Sequence, residues 1–127
     1  MIQKFIELGE GYSDLYELLE TTRANKHRVT KLLALHTKLN DKEAASFLVI
    51  MKPTNPGDFQ AVYLCREGIS TPAASKRYAL FQELAQELQQ QIISFEVKPS
   101  YTFNELQLYY QYLTGILRLN HILPPMR

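Results

Sequence analysis

The chain has a single cysteine, only five glycines, a net charge of +1 and no long apolar run. Each of these scarcities closes off a class of protein. One cysteine forms no internal disulfide, and Cys65 stands in the apolar segment Val62-Tyr63-Leu64-Cys65, where it reads as a small buried hydrophobe rather than a nucleophile. With 14 Lys and Arg against 13 Asp and Glu, the field of the whole molecule draws neither nucleic acid nor anionic membrane, so any anion site has to be local. A membrane span takes roughly 20 consecutive apolar residues, and none is present. Lys4 and Glu7 occupy the stretch where a secretion signal would be apolar, so a cytoplasmic protein is expected.

Catalytic signatures are scarce too. His27, His36 and His121 stand apart from one another, with no His, Cys, Asp or Glu beside them at ligand spacing, so no metal site is expected. Gly9-Glu10-Gly11 lacks the lysine and the further glycines of a nucleotide-binding loop. The expectation is therefore a binding or regulatory module with no catalytic residue, metal or cofactor.

What is present is a chain of 127 residues, 46% hydrophobic and 21% charged. That is the size and composition of one globular domain, spanning residues 1–127 with a flexible tail over 123–127 around Pro124-Pro125. A first helix is expected from Asp14 to about Ala24, capped by Ser13 and burying Leu15, Leu18, Leu19 and Thr22. Three β segments follow, roughly Arg28 to Thr37, Ala44 to Lys52 and Phe59 to Arg66, rich in Val, Leu, Ile, Phe and Tyr. Leu39-Asn40-Asp41-Lys42 suits a tight hairpin, and Pro56-Gly57 suits a type II turn. The middle segment, Ser46-Phe47-Leu48-Val49-Ile50-Met51, is apolar without alternation. A strand does this when both faces of its sheet are covered, so helices are expected on both sides.

After Glu67-Gly68, read as the start of a loop, a second helix with Thr71 or Ser75 as cap buries Tyr78, Phe81, Leu84, Ala85 and Leu88. A strand over Ile92 to Val97 follows, parallel to an earlier strand through a right-handed crossover. A last helix runs from Thr102 to about His121. Thr102 and Glu105 fit a capping box, with Tyr101 and Leu106 as its hydrophobic staple. The order α-β-β-β-α-β-α defines an α/β fold bordering on α+β. It implies a four-stranded mixed sheet with helices on both faces, and Met1 to Leu8 offer a possible extra strand.

That order resembles the core of the restriction-endonuclease-like nucleases, whose pattern places an acid on the second strand and acid-x-Lys on the third to hold a metal. Here the second strand offers only Glu43 at its start, and the third ends Cys65-Arg66-Glu67. The resemblance implies at most a degenerate member of that fold.

Two surfaces carry hints of binding. The last helix has a core face of Leu106, Tyr109, Tyr110, Leu113, Ile116 and Leu117, and beside it a second row of Leu108, Tyr112, Gly115 and Leu119. That row fits either symmetric self-association, giving a homodimer, or cover by the first helix or the amino-terminal segment of the same chain. The segment from Arg66 to Thr71 leads from a strand into a helix carrying Lys76 and Arg77. The alternative to a non-catalytic module is a small enzyme or ligand-binding protein for an anionic metabolite, phosphorylated or carboxylated, held by Arg66, Thr71, Lys76 and Arg77, although a plain helix cap with solvated cations explains the same residues. Lys26, His27, Arg28 and Lys31 read as a polar strand edge.

Finally, Phe5-Ile6-Glu7-Leu8-Gly9-Glu10-Gly11-Tyr12-Ser13-Asp14-Leu15-Tyr16-Glu17-Leu18 and Asn25-Lys26-His27-Arg28-Val29-Thr30 resemble a family of small uncharacterised proteins of Bacillus-type bacteria, over most of the chain. Members of that family sometimes carry the label methylthioribose kinase. Kinases of that kind are larger and two-lobed, with a nucleotide loop, a catalytic Asp and metal-binding acids, and none of those motifs stands in this sequence. The resemblance implies a bacterial cytoplasmic protein without an established activity.

Overall fold

The computed structural model describes residues 3–8, 15–39, 42–55, 57, 59–70 and 76–123, with the backbone alone at 39, 42 and 66–70. Its elements are β1 (Gln3–Glu7), α1 (Leu15–Ala24), β2 (Val29–Leu39), β3 (Lys42–Met51), β4 (Gln60–Ser70), α2 (Lys76–Glu87), β5 (Ile92–Glu96) and α3 (Leu106–Leu119), with 3-10 turns at Lys26–Arg28 and Ser100–Thr102. The sheet has five strands in the order β1-β4-β3-β2-β5. This is the expected mixed α/β domain, and the amino-terminal segment supplies the fifth strand. β2, β3 and β4 form an antiparallel meander, while β1 lies parallel to β4 and β5 parallel to β2. Leu39 pairs with Lys42, so β2 and β3 are consecutive antiparallel partners separated by two residues. Gly57 has a φ of +91°, the left-handed position that the second half of a type II turn requires.

Two connections join parallel strands, β1-α1-β2 and β4-α2-β5. Both cross the sheet in the same direction, so right-handed connections put both helices on the same face. That face holds Leu15, Leu18 and Leu19 of α1 against Tyr78, Phe81 and Leu84 of α2 in one core. The opposite face is covered by α3, whose Tyr109, Leu113 and Leu117 pack on Leu33, Leu35, Leu48 and Ile50. The helices therefore lie on both sides, in three layers. β3 is the centre of both cores: Phe47, Val49 and Met51 face α1 and α2, Leu48 and Ile50 face α3, and all are fully buried. This accounts for its unbroken apolar run.

Phe47 stacks on Phe81 at 4.2 Å between centroids and meets Tyr78 edge-on at 5.3 Å. Each such pair adds about 0.5–1.5 kcal/mol beyond the area it buries. Cys65 is fully buried in the same core, as a small hydrophobe. Arg23 of α1 and Glu87 of α2 join the helices at the surface through two hydrogen bonds of 3.0 Å.

The structure corrects the sequence reading at two places. β4 does not end near Arg66. It runs through Ser70, with Ile69 and Ser70 paired to Ala45 and Ala44, and residues 66–68 of β4 stand opposite Ser46 alone as a bulge. The polar Glu67-Gly68 pair marks this irregularity in a strand, not a loop. The last helix begins at Leu106 rather than Thr102, because the Thr102 hydroxyl donates to the Pro99 carbonyl at 2.7 Å and closes a 3-10 turn instead of capping a helix. Tyr101 and Leu106 are consequently 67% and 40% exposed, and the staple does not form. At its other end α3 closes with His121 at a φ of +60° and a hydrogen bond of 2.8 Å from the Ile122 amide to the Leu117 carbonyl. Leu123 is buried beside α3. The remaining tail residues and the expected caps Ser13, Thr71 and Ser75 lie outside the described residues.

Candidate functional site

β2 outruns its neighbour. β5 pairs with it only from Leu32 to His36, after which the Val97 amide donates to the His36 carbonyl at 2.9 Å and the chain turns away at Pro99 toward α3. Thr37 and Lys38 continue along β2 with β3 on one side and no strand on the other. The space left there is a cleft of about 730 Å³ at the carboxyl ends of β2 and β5. Ligand sites commonly enclose roughly 300–1,000 Å³, and in open α/β sheets they favour the carboxyl ends of strands.

Strand geometry dictates how the lining is arranged. Alternate residues of a strand point to opposite faces. His36, Ser94 and Glu96 continue the rows of Ala34 and Ile92 on the α1/α2 face, whereas Thr37, Phe95 and Val97 continue those of Leu35 and Ile93 on the α3 face. Since both sets line the cleft, it wraps around the end of β5.

Thr37 is the most unusual member. It is 5% exposed, and its hydroxyl has no hydrogen-bond partner among the described residues. A buried polar group in that state costs about 1–3 kcal/mol. Nearby, the Lys98 amide donates to the Tyr112 hydroxyl at 3.0 Å, which leaves the phenolic proton to donate elsewhere. The Lys98 ammonium stands 6.0 Å over the same ring, and Phe103 packs against it at 5.1 Å. On the other side His36 is half-buried, with Nε2 3.5 Å from the Tyr78 hydroxyl and Glu96 as its parallel-strand partner. Lys38, Glu43, Glu96 and Lys98 contribute exposed charges to the lining, two of each sign.

At the far end of α2 an ion pair stands at the surface. Hydrogen bonding to the Arg23 guanidinium holds the Glu87 carboxyl below its ordinary range, and the same bond raises Arg23. This pair clamps two helices.

Of the residues read as an anion site, Lys76 and Arg77 are exposed in the first turn of α2, while the Arg66 side chain and Thr71 lie outside the described residues. Of the outer row of α3, Leu108 and Leu119 are 43% and 80% exposed. Gly115 is exposed, with no atom within 4 Å of where a Cβ would stand. Tyr112 is instead half-buried and turned into the cleft. Sequence reasoning missed Thr37, Lys38, Glu96 and Lys98 as members of one site. The available signal was a hydroxyl at Thr37 completing the otherwise apolar row Leu33, Leu35.

No group of three or more His, Cys, Asp and Glu among the described residues is placed to hold a metal, and no helix among them is long and apolar enough to cross a membrane. Fold and cleft together define a three-layer α/β domain with a ligand-sized opening at the ends of two parallel strands. The chain belongs to the family described as a domain of unknown function, DUF7147, which matches residues 1–123. No curated protein and no solved structure matches it.

Proposed function

We propose that this chain is a non-catalytic binding module of a bacterial cytoplasm, and that it takes a small molecule in the cleft at the ends of β2 and β5. The buried Thr37 hydroxyl carries this reading. A polar group kept at the wall of a cavity, at a cost to stability, is accounted for when a ligand completes its hydrogen bond. The test is a thermal-shift screen of a metabolite panel on the wild type and on Thr37→Val, which keeps the side-chain shape and removes the hydroxyl. A ligand that stabilises the wild type is expected to lose most of its effect on the variant. Equal stabilisation of both proteins by every ligand found would end this reading.

Self-association through α3 is a second reading, supported by the exposure of Leu108 and Leu119 on a row that α1, on the opposite face, does not reach. Light scattering over a concentration series is expected to give a dimer that Leu119→Glu dissociates. A monomer at every concentration removes this reading without touching the cleft.

A further inference from the structure

The lining of the cleft narrows its ligand. Lys38 and Lys98 bring two positive charges, Glu43 and Glu96 two negative ones, and all four residues are exposed to water. A phosphate or a dicarboxylate would gain from the lysines what it loses to the glutamates, and a diamine would face the converse. A ligand with one charge of each sign uses both sets. The signs are also distributed: Thr37, Tyr112 and Lys98 gather donors on the α3 side of β5, whereas Glu96 stands beside His36 on the other, where Lys38 and Glu43 are cross-strand partners of opposite charge and Glu96 leaves that side net negative. Phe95, Val97 and Pro99 supply apolar surface between them.

We propose, building on the cleft reading above, that the ligand is a zwitterion whose carboxylate and ammonium stand well apart, the chemistry of a dipeptide or tripeptide. Its carboxylate meets the Thr37 and Tyr112 hydroxyls and the Lys98 ammonium; its ammonium lies across the end of β5 at Glu96. The ammonium and carboxylate of a free α-amino acid share one carbon and do not reach both sides of a strand. An extended chain spans about 3.3–3.6 Å per residue, so two or three residues do. A cleft of about 730 Å³ also exceeds what one amino acid fills.

The experiment is an amide NMR titration of the full chain with Gly-Phe-Gly, its N-acetylated and C-amidated forms, free phenylalanine, glutarate and inorganic phosphate. The unblocked tripeptide is expected to shift the amides of Thr37, Lys38 and Lys98. Blocking either end should weaken it on the order of tenfold, the loss of one charge-assisted hydrogen bond. Glu96→Gln should weaken the free-amine peptide and leave the acetylated one unaffected, which separates the role of Glu96 from damage to the fold. If phosphate, glutarate or free phenylalanine moves the same amides at equal or lower concentration, the peptide-like zwitterion is overturned while the cleft reading stands. If no probe moves an amide of the cleft, the peptide-like zwitterion is overturned, and the cleft reading stands or falls on the thermal-shift comparison of the wild type with Thr37→Val.

Discussion

On one side of the sheet two helices close the core, and on the other a single helix does the same work. The α1/α2 side is lined by aliphatic residues and the ring stack of Phe47 on Phe81, and it is bolted at the surface by Arg23 and Glu87. The α3 side is rich in tyrosine, leaves Leu106, Leu108 and Leu119 in water, and opens at the end of β5 into the cleft. One side is organised for stability. The other gives up part of its cover, and the groups able to meet a ligand collect where cover is missing.

The largest test of this contrast is paired truncation. Phe81→Ala empties a fully buried site and is expected to cost about 3–5 kcal/mol. Ile116→Ala on α3 removes a half-buried side chain and should cost roughly 1–2 kcal/mol. Equilibrium denaturation measures both, and equal losses would break the contrast. Next in size is Thr37→Val. Removal of the buried hydroxyl, which has no partner among the described residues, should raise stability by about 1 kcal/mol while removing most of the ligand response, whereas a loss of stability would mean that the hydroxyl is satisfied in the free protein. Gly115→Ala comes third. A methyl group there meets nothing within the chain, so helix propensity alone predicts a gain of about 0.5–1 kcal/mol in the monomer. If α3 packs closely against a second copy, the same change should weaken the dimer, and light scattering beside denaturation separates the two effects.

The smallest effect belongs to the bolt. The Glu87 carboxyl is held below its ordinary value of 4.5 by hydrogen bonding to Arg23. Its folded-state value is lower than its unfolded one, so the contribution is present at neutral pH and is lost as pH falls through the lowered value. The difference in denaturation midpoint between the wild type and Glu87→Gln is expected to be small at pH 7 and to shrink toward pH 3. Both side chains are about half exposed, which keeps the effect modest.

Much of the fold was legible because it is written in local periodicity. The unalternating run of β3 announced cover on both faces, and the buried stripes of α1 and α2 stand where the three-and-four spacing put them. The start of α3 was misread because a threonine three residues before a glutamate fits a capping box whether its hydroxyl turns forward to an amide or back to Pro99. The cleft was not legible for another reason. Thr37 and Lys38 meet Glu96 and Lys98 only because β5 pairs with β2 from far along the chain and stops short of its end. No local pattern encodes where one strand ends relative to another.

The strand order also sets a timetable. The meander of β2, β3 and β4 is made of neighbours in sequence, but β1 waits for β4 and β2 waits for β5, so both edges close late. While the chain is being synthesised, β3 exists with both apolar faces made and only one of them close to having its helices. The other stays bare until α3, the last element among the described residues, has emerged. Completion of the domain is therefore tied to the final helix, and chains stalled before Leu106 present a sheet face ready to aggregate.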